Sequence, residues 1–299
     1  MNYRKILRYL LFAFGFSWLL FAGMYAAGLA RPGQTVGMMV TGMLFMWGPA
    51  LAVLVVQKGI YRAPLTAYGW TLRKLDGRWL LASMLAPAGL LLLALLLSFV
   101  LGNVAGIGVF GRVDLRKEGI ETALTAIAAQ AGQPVPANPF AEVPLPGWAL
   151  LLLILVGSIL PGATLNAVFA FGEELGWRGL LLAETGPLGF WRSNLLIGIV
   201  WGLWHAPMIV MGHNYPGYPL WGVAMMVLFC TALSFPMAYL TRRAGSILAP
   251  SFFHGIYNAS AGATALFVHE AHPLFAPGAG LAVVLAGGVL STLLPSRAR

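Results

Sequence analysis

The sequence predicts an all-α, polytopic membrane bundle of about eight transmembrane helices, with the N-terminus and the C-terminus inside. Three observations carry that prediction. The 299 residues are 59% hydrophobic and only 9% charged, with a mean hydropathy of +0.82, too few polar side chains to coat a soluble domain. Apolar runs of about 20 residues, enough to cross a hydrocarbon core of about 30 Å, recur along most of the chain. The 18 Lys and Arg residues sit at the ends of those runs and not along one soluble face. The net charge of +9 therefore points to topology in a lipid bilayer and not to nucleic acid.

Arg4, Lys5 and Arg8 precede a first span that runs to about residue 30, and a second covers 36–57. The first run is longer than a secretory signal's apolar core and lacks a clear cleavage pattern, so it is expected to stay as a span. A basic connector, 58–78, leads to span three at 79–101. The longest polar region, 102–146, ends rich in proline and is expected to hold a short helix around 114–131. Span four begins near 147 and continues to about 184, with a bend expected at Pro161; spans five to eight fall at 193–211, 219–240, 246–268 and 278–294. The chain reads as a single transmembrane domain, 1–299, with the chemistry concentrated in 147–268.

Charge tests this arrangement. With the N-terminus inside, 14 of the 18 Lys and Arg residues fall inside, including Arg73, Lys74, Arg297 and Arg299; only Arg31, Arg112, Arg116 and Lys117 fall outside. The bias follows the positive-inside rule. The one cysteine, Cys230, lies in an apolar run, so no disulfide framework or thiolate metal cluster is expected.

Chemistry centres on 171–178, Phe-Gly-Glu-Glu-Leu-Gly-Trp-Arg, in a chain with nine acidic residues in all. Ionisable side chains within an apolar span are costly and mark functional sites by default. Glu174 and Arg178, four apart, share a helix face and can pair; Glu173 points about 100° away. Two adjacent carboxylates in different environments suit acid–base work, which makes Glu173 the general base and Glu174, with Arg178, its structural support. Span five supplies Trp201 and His205 on one face, and span seven supplies His254 and Asn258 on another. Counted at about 1.5 Å per residue, His205 lies roughly 20 Å from Arg192, His254 roughly 16 Å from Arg243, and Glu173 roughly 16 Å from the helix end at Glu184. The groups are thus expected at one depth, facing a water-accessible cavity nearer the cytoplasmic side. Such a set can hydrolyse an amide: Glu173, with His205, takes a proton from water, and His254 and Asn258 donate to the oxyanion. It could equally hold a zinc ion through His205, His254 and Glu173.

These three motifs, Glu173-Glu174-x-x-x-Arg178, Trp201-x-x-x-His205 and His254-x-x-x-Asn258, resemble those of the CAAX prenyl protease and bacteriocin-processing (CPBP, or Abi) family of intramembrane proteases. The resemblance covers about 171–258. Trp201 stands where the family usually has phenylalanine, an aromatic pocket wall in either case. The resemblance implies a multi-pass enzyme of the cytoplasmic membrane acting on a peptide or membrane-protein substrate, with water activated by Glu173 and His205, the oxyanion held by His254 and Asn258, and no cofactor required. Two rivals accompany it: a non-proteolytic immunity or scaffold protein of the same architecture, and a proton-coupled transporter using the same buried groups as a relay.

Other motifs are expected to be structural. His269-Glu270-Ala271-His272 spaces its histidines three apart, not the four that a zinc helix needs. Tyr215 and Tyr218 are expected as headgroup anchors, Glu184 as a solvated helix end, Trp177 and Trp204 as packing or cavity-lining residues, and Gly198 and Gly202 as a close helix contact.

Overall fold

The computed structural model describes residues 1–31, 33–69, 75–131 and 133–294. Helix α1 (Tyr3–Ala26) starts on Asn2, whose side-chain oxygen accepts the Lys5 N–H at 3.1 Å and satisfies a donor that a helix start leaves open. Helix α2 (Thr35–Phe45) is followed by α3 (Gly48–Val53), which runs on as a π-helical turn over Leu54–Ile60. Helix α4 (Gly77–Ser98) starts on Asp76, whose carboxylate accepts the Arg78 N–H at 2.9 Å.

The polar region folds into strand β1 (Arg112–Val113) and helix α5 (Lys117–Ala131), close to the helix expected there. Strand β1 pairs antiparallel with β2 (Val268–His269), Arg112 opposite His269. The apolar stretch Gly147–Leu188 is helical over 42 residues but irregular. It comprises α6 (Gly147–Gly157), α7 (Ile159–Pro161), a π turn, α8 (Ala167–Glu174), a second π turn over Leu175–Leu181, and α9 (Leu182–Thr185). The first irregularity falls at Ser158, just before Pro161, whose missing N–H cannot bond back to the Gly157 carbonyl. Then come α10 (Phe190–Trp204), α11 (Ala206–Val210), α12 (Pro219–Ala244), α13 (Leu248–Ser260) and α14 (Leu281–Thr292).

Five helices among the described residues are long and apolar enough to cross a membrane: Tyr3–Ala26, Val36–Ile60, Gly77–Val104, Gly147–Leu188 and Pro219–Ala244. That is fewer than the eight single spans expected. The fifth expected span is divided into α10 and α11 at His205, where Pro207 in the first turn of α11 cannot continue the ladder. The seventh is α13, 13 residues long, with a 3-10 turn after it, and the eighth is α14, with 12 residues. The architecture is an all-α membrane bundle with two minimal strands. Arg73, Lys74, Arg297 and Arg299 lie outside the described residues, and with them that part of the charge argument for an internal C-terminus.

Helices α10 and α12 pack most closely, and the glycines are the reason. A Cβ on Gly198 would overlap the backbone of Thr231, and one on Gly202 the backbone of Val227. Helix α12 ends at Gly245, whose φ of 68° a side chain would resist.

The two ends of the bundle are built differently. At the basic end, Lys5 Nζ lies 2.9 Å from Glu184 Oε1, with the Tyr68 hydroxyl 3.1 Å from the same oxygen and 2.8 Å from Gln57 Oε1. Glu184 is therefore held in a cluster and not solvated as expected; Lys5, stretched over the rings of Tyr61 and Tyr68, reaches it from α1. At the opposite end, β1 and β2 pin the 102–146 region onto the turn after α13. His269 belongs to β2, and His272 accepts the Leu274 N–H at 3.3 Å beside the Tyr218 ring, so this motif serves as a joint. Tyr215 is wholly buried, its hydroxyl donating to the Ala279 carbonyl at 2.7 Å, and is no headgroup anchor.

Candidate active site

The site starts where α8 gives way to a π turn. Such turns displace side chains from the regular helical face and recur at functional positions. Glu173 and Glu174 are the last residues of α8, and both are buried, at 1% and 0% exposure. Their surroundings differ. Glu174 receives Arg178 Nη1 on both oxygens, at 3.1 and 3.0 Å, and His254 Nδ1 lies 2.9 Å from its Oε1. Glu173 has no cation among its hydrogen-bond partners; its Oε2 accepts the indole N–H of Trp201 at 2.6 Å and that of Trp177 at 3.3 Å.

The histidines arrive from separate helices. His205 caps α10, and its Nδ1 lies 2.9 Å from the Trp201 carbonyl oxygen. A carbonyl can only accept, so Nδ1 carries the proton and, in the neutral ring, Nε2 carries the lone pair. His254 sits on α13, its Nδ1–H donating to Glu174. When its ring is doubly protonated, Nε2–H is free to donate while Nδ1–H stays on Glu174. Helix α13 reaches this position because Gly162 and Gly255 have no side chains: a Cβ on Gly162 would overlap Ile256, and one on Gly255 the backbone at Gly162 and Ala167.

Glu173, Trp201, His205, His254 and Asn258 all line one cavity of about 550 Å³, within the size range of small-molecule and peptide-side-chain pockets. Arg178 and Glu174 stand behind it. The Arg178 guanidinium lies 4.2 Å from the Trp201 ring centroid, and the His254 ring meets the same indole at 5.5 Å, nearly perpendicular. Seven of the chain's 12 methionines are in the wall, among them Met43, Met46, Met208 and Met226. Toward the basic end the wall is closed by Leu233, Met237 and Phe253, all buried. Its exposed lining residues include Met39, His213, Asn214, Asn258 and Gly262, and of these His213, Asn214 and Gly262 belong to the end that carries the 102–146 region.

Among the described residues, no three His, Cys, Asp or Glu side chains are grouped to hold a metal ion. The chemistry below is derived from the side chains alone. Two features escaped the sequence reading. The methionine wall is one. The other is that Trp177, four residues after Glu173, turns its indole to that carboxylate and not to the cavity; the same i, i+4 spacing that paired Glu174 with Arg178 could have found it.

Comparison with known proteins bears on the same segment. Residues 145–260 match the family model described as type II CAAX prenyl endopeptidase Rce1-like. Over 44 residues the chain is 39% identical to CAAX prenyl protease 2 of Methanococcus maripaludis, a match spanning 14% of this chain and 16% of that protein. The apolar helices and the family match together mark a membrane protein. Residues 145–260 are thus similar to the type II CAAX prenyl endopeptidase Rce1-like family.

Proposed function

We propose that the chain is an intramembrane endopeptidase of the cytoplasmic membrane, hydrolysing a peptide bond with water activated by Glu173. The observation that carries this reading is the meeting of the Glu173 carboxylate, the His205 and His254 imidazoles and the Asn258 carboxamide in the wall of a single, largely apolar cavity. The Rce1-like match supports the reaction class.

The roles follow from donor and acceptor capacity. Both indoles occupy Glu173 Oε2, so Oε1 is the oxygen available to a water. Glu173 takes a proton as that water attacks the scissile carbonyl, then returns it to the leaving nitrogen. His205, with Nε2 as acceptor, holds the same water in line. As the carbonyl oxygen gains charge, His254 Nε2–H and the Asn258 amide donate to it, an interaction strengthened by apolar surroundings. The methionine wall suits an apolar peptide segment of varied shape, since methionine is flexible and polarizable.

The cavity also bears on the direction of entry. Several of its exposed residues lie away from the basic end, so with the basic end inside the substrate enters from the opposite face toward a site that residue counting places nearer the cytoplasmic side. Single cysteines at Asn214 or Gly262, in a Cys230→Ser background, should react with a membrane-impermeant thiol reagent in whole cells, and a cysteine at Arg62 only after lysis. The reverse pattern rejects this orientation.

The reaction itself is tested with a panel of apolar peptides incubated with purified protein, products being identified by mass. Discrete cleavage, reduced at least about 100-fold in His205→Ala, is expected. Intact peptides with wild-type protein would favour a non-proteolytic scaffold.

A further inference from the structure

We infer that Trp201 is the positioning residue of the site, fixing which oxygen of Glu173 serves as the base. The inference rests on the endopeptidase reading above. Four members of the site meet at this one residue, each through a different part of it. The indole N–H donates to Glu173 Oε2 at 2.6 Å. The backbone carbonyl accepts His205 Nδ1–H at 2.9 Å and so sets the tautomer of that ring. One face carries the Arg178 guanidinium at 4.2 Å, and the His254 ring stands against the indole at 5.5 Å.

The physical consequence concerns Glu173 first. A carboxylate on a rotatable stem presents either oxygen to a water unless one is held. Glu173 and Trp201 are 1% and 2% exposed, so bulk water does not compete for the indole donor. The bond from Trp201 is short and charge-assisted when Glu173 is ionised, whereas that from Trp177, at 3.3 Å, lies beyond the usual N–H···O range. Trp201 therefore carries most of the restraint on Oε2 and leaves Oε1 to the water. Phenylalanine at 201 would keep an aromatic face for Arg178 and His254 but would have no donor.

The test separates orientation from folding. Full-length protein in detergent is assayed for kcat and KM as wild type, Trp201→Phe, Trp177→Phe and Glu173→Gln, each with its thermal midpoint. Trp201→Phe is expected to lower kcat about 10- to 100-fold, the scale of a hydrogen bond to a charged group, with KM within about twofold. Trp177→Phe is expected to lower kcat less than about fivefold, as its longer bond implies. A second variant carries benzothienylalanine at 201, which keeps the bicyclic ring and replaces only the N–H by sulfur; its kcat should match that of Trp201→Phe. A benzothienylalanine variant with wild-type kcat overturns the proposal, as does a Trp201→Phe loss confined to KM or to thermal stability. If Glu173→Gln keeps wild-type kcat, the endopeptidase site itself is misassigned, a failure distinct from this one.

Discussion

Glu173→Gln should reduce kcat for peptide cleavage by about 10²- to 10⁴-fold, the contribution typical of a positioned general base. The substitution is nearly isosteric, and the remaining amide oxygen can still accept from Trp201 and Trp177, so packing around the site is kept. What disappears is the group that takes the proton from water. KM should stay within about threefold, because Glu173 contributes one position to a wall of mostly apolar side chains. Steady-state kinetics on detergent-solubilised protein check this. A parallel fall in thermal midpoint would instead indicate a structural carboxylate.

Arg178→Met should have the largest effect on stability, about 3–5 kcal/mol, as removing one partner of a buried ion pair leaves the other charge uncompensated. Both side chains of the Arg178–Glu174 pair are fully buried. His254 Nδ1–H would remain on Glu174, and the lost guanidinium would also uncover one face of Trp201. The double variant Glu174→Leu/Arg178→Met should recover much of that stability, since neither charge of the pair is left unpaired, while staying inactive because His254 has lost its support. Chemical denaturation in mixed micelles measures both. A single Arg178→Met that unfolds like wild type would mean that the pair contributes nothing.

How much of this was legible in the sequence depends on the range of the interaction involved. Local periodicity gave the apolar helices, the Glu174–Arg178 pair and the irregular helix around Pro161, because each depends on neighbours within about one helical turn. The small residues Gly198 and Gly202 announced a close helix contact for the same reason. Contacts between distant segments were not legible. Nothing in the local pattern joins Trp201 to Glu173, 28 positions earlier, or brings Lys5 to Glu184. The division of the fifth span at His205 was read as one helix because Pro207 sits within an otherwise apolar run. Which walls close the cavity was not legible either, because Leu233, Met237 and Phe253 come from two helices.

The central claim is that one buried carboxylate activates water for peptide hydrolysis, without a metal. The most direct measurement is cleavage of an apolar peptide by wild type and Glu173→Ala, purified side by side, across a chelator titration. The account predicts hydrolysis by wild type that is unaffected by chelator, and none by Glu173→Ala above the uncatalysed background. Cleavage persisting in Glu173→Ala, or wild-type activity lost to chelator and restored by zinc, would contradict it.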